Sequence, residues 1–301
     1  MAAESNRPPV WRGAASELIT PFDPDGEVRL DLVAGEIEFM AARGVVGVMV
    51  NGFASEALMI DDQERFAIAR AARQATPAGC QLMGTVIAGS TKQGLAQVGR
   101  YEALGLDAIA IATPPLYPYG VDALVDYYIA IAHGTQLPSY IYNSPEWGNK
   151  LPPEAVARIV QACPTAVGYK DATHSLIELQ TLLELIGRDR LSVLSGSDAL
   201  TVPMMLVGAK GVISLVTTVF PELIVELCQA AAAGQWERAM ALQDKTLRVR
   251  AALKIGPFMA AYKHVARLLG HDLGSPRHPL TALTSQQAAT VEDRLAAEGL
   301  L

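Results

Sequence analysis

The chain has 301 residues, of which 50% are hydrophobic and 18% are charged, so it can bury one large core or two smaller ones. Its formal net charge of −7 argues against a surface that binds nucleic acid or an anionic membrane. The three cysteines are far apart and form no CxxC pair, and no apolar run reaches the ~20 residues of a membrane span. We therefore expect a cytoplasmic protein that acts on a small molecule, with no nucleic-acid or membrane partner.

The first residues, 1–12, lack a hydrophobic segment of signal-peptide length, and we expect a flexible tail there. Eight short apolar segments without clean alternation follow, as is typical of parallel strands covered on both faces. These candidate strands are residues 13–22, 47–52, 80–87, 108–114, 139–145, 166–172, 191–197 and 211–216. Segments with helical spacing lie between them, among them 30–44, 62–75, 91–105 and 153–163.

Eight strands alternating with helices predict a (β/α)₈ TIM barrel over residues 13–220. A doubly wound sheet is the competing α/β architecture, but the first strand runs into TPFDPDG (20–26) with no glycine fingerprint. Beyond residue 220 the apolar spacing is helical. This predicts a C-terminal helical extension, 221–301, packed on the barrel.

Active sites of such barrels lie at the carboxyl ends of the strands, where Lys170 stands in the apolar segment AVGYKDA (166–172). Burial disfavours an ammonium and lowers its pKa, which makes the amine a nucleophile toward a carbonyl. The alternative is a structural salt bridge to Asp171 or another carboxylate of the barrel. One strand earlier, the hydroxyl of Tyr142 could relay protons in such a reaction, or belong to an ordinary core tyrosine.

The first candidate strand carries an unexpected carboxylate, Glu17, within AASELITPF (14–22). If it points into the barrel, its pKa is raised and it could act as an acid or base. If it points outward, it pairs with an arginine. The sequence leaves both orientations open.

Seven short motifs stand in order at the predicted strand ends. They are TPF (20–22), GxxxE (52–56), TPPLY (113–117), YNSP (142–145), GYKD (168–171), SGSD (195–198) and GVIS (211–214). Together they resemble the dihydrodipicolinate synthase / N-acetylneuraminate lyase family of class I aldolases over nearly the whole chain. The chain looks like an atypical member.

This resemblance implies a homotetramer, a dimer of dimers, that uses no metal or organic cofactor. Lys170 matches the family's Schiff-base lysine and Tyr142 its proton-relay tyrosine. The segment 52–56 matches the loop that holds the carboxylate of a 2-oxo acid through backbone N–H groups and hydroxyls. Ile213 matches a residue that lines the pyruvate pocket, and Tyr117 a tyrosine that reaches a neighbouring subunit's site. The five histidines show no HExxH or i,i+4 pairing, so we expect no metal site.

The 52–56 loop departs from the family's GTTGE or GSTGE, because it reads Gly52-Phe53-Ala54-Ser55-Glu56. Its backbone amides can still bind a carboxylate, but the family's Tyr–Thr–Tyr proton relay lacks its threonine. Glu17 also stands where the family has a small apolar residue near the Schiff base. These departures open the alternative of a non-catalytic paralogue that binds 2-oxo acids.

A second departure is Trp147, at the position where true dihydrodipicolinate synthases carry an arginine for the second substrate's carboxylate. An indole cannot make the bidentate, charge-assisted contact of an arginine. This argues against lysine biosynthesis and favours a partner with an apolar or aromatic part. Ala199 follows Asp198 where sialic acid lyases have a glutamate, which disfavours a sugar acid.

We therefore expect a Schiff-base-forming class I lyase, an aldolase or dehydratase, acting on pyruvate or another 2-oxo acid, with or without an aldehyde partner. The sequence leaves open whether it cleaves, condenses or dehydrates. A genuine dihydrodipicolinate synthase with an unusual site, or the non-catalytic paralogue, is the alternative.

Overall fold

Eight parallel strands close into a barrel in chain order in the computed structural model, which describes residues 10–301. The strands are β1 (Gly13–Glu17), β2 (Gly47–Val50), β3 (Gln81–Val86), β4 (Ala108–Ala112), β5 (Ser139–Asn143), β6 (Ala166–Asp171), β7 (Ser192–Ser195) and β8 (Gly211–Ser214). The pairing of β8 with β1 closes the barrel. The predicted barrel is confirmed, with each strand shorter than predicted because apolar residues continue into the loops that follow.

Helices alternate with the strands and surround the barrel. They are α1 (Leu30–Ala41), α2 (Asp62–Ala75), α3 (Thr91–Ala103), α4 (Val121–His133), α5 (Pro153–Ala162), α6 (Leu176–Ile186), α7 (Thr201–Val207), α8 (Pro221–Ala232), α9 (Trp236–Leu253), α10 (Ala260–Leu268) and α11 (Ser285–Ala297). Helix α8 follows β8 and packs on β1, so it is the eighth helix of the barrel. The boundary predicted at residue 221 is therefore one helix too early, and the extension consists of α9 to α11. None of the helices in residues 10–301 combines the length and apolarity that a bilayer crossing requires.

Both faces of the strands are apolar, which explains why their sequences do not alternate. Outward residues such as Val48 and Ile109 pack against the helices, whereas Met49 and Leu194 belong to the cluster inside the barrel. Space inside is limited: a Cβ added to Gly168 would lie 2.0 Å from the ring of Tyr140. A glycine on β6 thus lets an aromatic side chain fill the barrel below its carboxyl end.

The amino-terminal end of the barrel is filled by Trp11, which is 2% exposed. Its backbone N–H donates to the hydroxyl of Tyr140 at 2.9 Å, and its ring lies against Gly47. The tail predicted over 1–12 falls largely on residues 1–9, which lie outside the described residues. For Trp11 that prediction is wrong, since a single aromatic residue in a polar segment produces no periodic signal.

The C-terminal extension is tied to the barrel through buried charges. Lys263 of α10 lies 3.0 Å from Oε1 of Glu56, and both side chains are at most 1% exposed. The backbone N–H of Arg277 donates to the other oxygen of Glu56 at 2.9 Å, and its guanidinium binds Glu64. Since Glu56 ends the 52–56 loop, the extension holds that loop in place.

A further buried carboxylate is that of Glu36 in α1, whose charge interacts with that of Lys263. Its Oε1 accepts a hydrogen bond from the backbone N–H of Ile19 at 2.9 Å, and Oε2 makes no hydrogen bond within residues 10–301. Burial raises the pKa of Glu36 to about 8, although the Ile19 N–H and the charge of Lys263 act in the opposite direction. The folded protein therefore prefers the neutral carboxyl.

This preference makes stability depend on pH. Above the ordinary pKa of 4.5 an unfolded chain releases the Glu36 proton, whereas the folded chain keeps it up to about 8. Folding stability should therefore fall as the pH rises through that window, by roughly 1.4 kcal/mol per pH unit and on the order of 4–5 kcal/mol in all. Urea unfolding of Glu36→Gln between pH 5 and pH 8 should show a flatter dependence. The exposed Glu38→Gln on the same helix is the control, and equal slopes in both variants would contradict the assignment.

Candidate active site

Lys170, the penultimate residue of β6, lies inside the barrel near the carboxyl end of its strand. The register places it beside Tyr142 of β5 on one side and Leu194 of β7 on the other. Its side chain is only 3% exposed. A cation this deeply buried needs a partner, because desolvation of an unpaired charge is costly.

The partner is Glu17, the last residue of β1. The Nζ atom of Lys170 lies 3.1 Å from Oε2, and Oε1 accepts a hydrogen bond from the backbone N–H of Ala54 at 2.6 Å. Of the two orientations left open by the sequence, Glu17 therefore has the inward one. The salt bridge to a barrel carboxylate, which the sequence left open as the alternative, is present, but its carboxylate is Glu17. The Asp171 carboxylate accepts hydrogen bonds from Thr173 instead.

The pKa of Lys170 results from two opposing effects. Burial lowers it, but the charge and hydrogen bond of Glu17, assisted by Tyr142, raise it above its ordinary value. The lowered pKa expected from burial alone is therefore wrong, because Glu17, 153 residues away in the chain, could not be recognised as a partner from the sequence. The resting amine is an ammonium, so attack on a carbonyl requires that a proton first leave it.

Tyr142 covers a second side of the amine. The Nζ atom of Lys170 lies 4.0 Å from the centroid of the Tyr142 ring, within cation–π distance. The backbone carbonyl of Tyr142 accepts a hydrogen bond from the hydroxyl of Tyr128, which anchors this end of β5. Burial raises the pKa of Tyr142, although the charge of Lys170 acts against this shift. The phenol therefore stays protonated at neutral pH and can carry a proton to or from a reacting oxygen.

The 52–56 loop follows β2. Most hydrogen-bonding groups of this loop are bonded to other groups of the same chain. The hydroxyl of Ser55 donates to the carbonyl of Leu18 at 2.6 Å and accepts from the N–H of Gly52 at 3.2 Å. The N–H of Ser55 donates to the carbonyl of Gly52, and that of Ala54 donates to Glu17. Phe53 N–H makes no hydrogen bond within residues 10–301. The loop is close to the amine, as the resemblance implies, but Glu17 already occupies its Ala54 N–H.

Three aromatic rings, Phe53, Trp147 and Phe258, pack together beside Tyr142 and are called the cover below. Phe53 packs edge-on against Trp147 at 5.2 Å between centroids and against Phe258 at 5.1 Å, and Trp147 contacts Tyr142 at 6.4 Å. Trp147 is 4% exposed, and its indole nitrogen makes no hydrogen bond within residues 10–301. Phe258 was missed by the sequence analysis because it comes from the turn between α9 and α10, where no motif marks it. The cover adds apolar surface beside Tyr142, whose ring in turn contacts Lys170.

The remaining predicted residues are Ile213 and Tyr117, and Asp198 ends the SGSD motif. Ile213 of β8 is buried in the same interior cluster as Tyr142 and Trp147. Tyr117, in the loop after β4, is 70% exposed, and its proposed contact with a neighbouring subunit stays a prediction. Asp198 is buried and binds the hydroxyl of Ser214, so its role within this chain is to fix the ends of β7 and β8.

The centre thus contains one amine, one carboxylate and one phenol, all buried among the apolar residues inside the barrel. Within residues 10–301 there is no group of three or more histidine, cysteine, aspartate or glutamate side chains placed to hold a metal ion. The amine can act as a nucleophile and the two oxygen acids as proton carriers. The arrangement suits covalent capture of a carbonyl compound.

Known proteins resemble this chain over nearly its whole length. The model of the dihydrodipicolinate synthetase family matches residues 11–298. An uncharacterized DapA-like lyase of Halobacterium salinarum is 33% identical over 301 residues, with 100% of this chain and 98% of that protein covered. A 4-hydroxy-tetrahydrodipicolinate synthase of Geobacter metallireducens is 29% identical, with 96% and 97% covered. The solved dihydrodipicolinate synthase of Thermotoga maritima has a TM-score of 0.92 at 26% identity, with 97% and 100% covered. The resemblance inferred from the motifs is confirmed.

The buried pair should show strong energetic coupling. Replacing Lys170 by methionine leaves the Glu17 carboxylate buried without its cation, which should lower the free energy of unfolding by about 3–5 kcal/mol. Glu17→Gln should also destabilise the protein, whereas the double variant should lose clearly less than the sum of the two. Chemical denaturation of all four proteins measures this cycle. Additive losses would show that the two side chains do not depend on each other.

Proposed function

We propose that this chain, which belongs to the dihydrodipicolinate synthetase family, is a lyase that forms a Schiff base between Lys170 and a small carbonyl substrate. The observation that carries the proposal is the 3.1 Å contact of Lys170 with Glu17 in the buried interior of the barrel. It supplies a nucleophile together with a group that can take up its proton and return it. Relatives that are named lyase or synthase support the same class of reaction.

Imine formation can be written with the groups present. One proton moves from the Lys170 ammonium to Glu17, which leaves a neutral amine and a carboxylic acid. The amine adds to the carbonyl carbon, and the Tyr142 hydroxyl carries a proton from the nitrogen to the new alkoxide. Glu17 then protonates the carbinolamine hydroxyl, which leaves as water. The product is an iminium beside the Glu17 carboxylate, so one positive and one negative charge are present at the beginning and at the end.

The iminium withdraws electrons from the carbon next to the former carbonyl carbon. A carbon–carbon or carbon–oxygen bond one position further from the nitrogen can therefore be broken or formed. The cover of Phe53, Trp147 and Phe258 would keep water from the reactive carbon. A substrate oxygen could also accept a hydrogen bond from the buried indole N–H of Trp147, which has no acceptor within residues 10–301. Aldol cleavage, condensation and dehydration all fit this arrangement.

We propose a carbonyl substrate without further definition here, because the pyruvate or other 2-oxo acid expected from the resemblance would compete with Glu17 for the Ala54 N–H. Pyruvate use and an aldehyde partner stay predictions. The homotetramer, the absence of a cofactor and the cytoplasmic location are also still predictions.

A second candidate is the non-catalytic paralogue. The observation that favours it is the same ion pair. Glu17 keeps Lys170 protonated and accepts the hydrogen bond of the Ala54 N–H, which would otherwise be available to a ligand. The two candidates differ in covalent chemistry. A binder should retain ligand affinity in Lys170→Ala and turn over no substrate, whereas the lyase should lose its covalent adduct.

Borohydride trapping tests the proposal directly. The wild type, treated with a panel of small aldehydes, ketones and 2-oxo acids and then reduced, should gain the mass of one substrate at Lys170 by peptide mapping. Lys170→Ala should show no such adduct. Lys150→Ala removes a more exposed lysine that follows β5 and should leave the adduct unchanged. No adduct with any panel member, or an unchanged adduct in Lys170→Ala, would contradict the proposal.

The indole at position 147 leads to a second prediction, on substrate choice. A coupled assay with pyruvate and aspartate semialdehyde should give little or no turnover, because Trp147 cannot bind a carboxylate as an arginine does. The Geobacter metallireducens enzyme, measured in parallel, is the positive control. Turnover comparable to that of the control would restore the alternative of a dihydrodipicolinate synthase with an unusual site.

A further inference from the structure

A carboxylate of the protein already stands beside the reactive amine. Glu17 contacts Lys170 through Oε2 and the N–H of Ala54 through Oε1. The backbone of the 52–56 loop lies close to the Glu17 carboxylate, since a Cβ added to Gly52 would lie 2.3 Å from Oε1. An acid group on a substrate bound to Lys170 would have to stand within a few ångströms of this carboxylate.

The loop offers few donors to a second carboxylate. The N–H groups of Gly52, Ala54 and Ser55 and the hydroxyl of Ser55 are all engaged within the protein. The N–H groups of Phe53 and Glu56 have no acceptor within residues 10–301. A substrate carboxylate would find at most these two uncharged donors in the loop, and the nearby cation, Lys170, is already paired with Glu17.

The charges of the site also disfavour a substrate carboxylate. Within residues 10–301 Glu17 has one ion-pair partner, Lys170, and Lys170 has no other. A 2-oxo acid would bring a second negative charge to a buried site with one positive charge. An aldehyde or ketone without an acid group keeps the site neutral at every step, because the iminium inherits the charge of the ammonium and stays paired with Glu17.

We infer that Glu17 takes the place of a substrate carboxylate, so that the carbonyl compound captured by Lys170 carries no carboxylate on its carbonyl carbon. The substrate class is an aldehyde or ketone, and the cover of Phe53, Trp147 and Phe258 favours one with an apolar or aromatic part. The inference rests on the proposed Schiff-base function, and it departs from the 2-oxo acid that the motifs predicted.

Two probes of nearly equal size, pyruvate and its neutral amide pyruvamide, test the inference. Each is incubated with the protein, reduced with borohydride and quantified as adduct at Lys170. The yields are divided by those obtained with an acetylated lysine amide to remove intrinsic differences in reactivity. The wild type should favour pyruvamide by about tenfold or more. The ratio of the two adducts within one variant is used because Glu17 also takes part in imine formation.

The variants identify the cause of the preference. Glu17→Gln keeps the shape and an acceptor for Ala54 but removes the charge, so its ratio should move toward pyruvate by about tenfold. Glu17→Ala should do the same if Glu17→Gln does not fold. Glu146→Gln removes an exposed carboxylate beside Trp147 and should leave the ratio unchanged.

The outcomes separate the two proposals. Equal or better capture of pyruvate by the wild type would overturn this inference while leaving the Schiff-base function standing. A preference for pyruvamide that survives in both Glu17 variants would also overturn it, because the cause would lie elsewhere. If neither probe, nor any member of the wider panel, forms an adduct at Lys170, the Schiff-base function itself fails.

Discussion

The ion pair between Lys170 and Glu17 is the interaction on which the rest of the site depends. A single buried ammonium or carboxylate at the centre of an apolar barrel would carry a large desolvation cost. Pairing the two charges offsets that cost for both side chains. The same contact carries the proposed chemistry, because it keeps the amine protonated at rest and places a proton acceptor 3.1 Å from it. Stability and proposed reactivity therefore rest on the same two side chains.

The surrounding structure keeps this pair buried and holds the two side chains in place. Strands β1 and β6 bring the two residues to the same end of the barrel, and the 52–56 loop holds Glu17 through Ala54. The C-terminal extension reaches the loop through Lys263 and Glu56, and it adds Phe258 to the aromatic cover. The C-terminal extension, although it follows the barrel in the sequence, thus contributes residues to the surroundings of the site.

The departures from the family pattern form a consistent set once the pair is known. Glu17 adds a negative charge inside the pocket, Phe53 and Ala54 remove hydroxyls from the loop, and Trp147 replaces a cation with an indole. Each change makes the pocket less suited to an anionic ligand. Taken together, they are consistent with the inferred substrate class, a neutral carbonyl compound.

The sequence by itself determined the barrel, because eight apolar segments between helical segments have few other ways to bury their surface. It also determined that Lys170 and Tyr142 stand at adjacent strand ends, since both lie in motifs with a fixed place in the β/α order. It could not decide the orientation of Glu17, because a strand that is apolar on both faces leaves the direction of a given side chain unspecified. The pairing of Lys170 with a residue 153 positions away, and hence the direction of its pKa shift, followed only from closure of the barrel. The places of Trp11, α8 and Phe258 were likewise decided by tertiary packing, which local patterns do not encode.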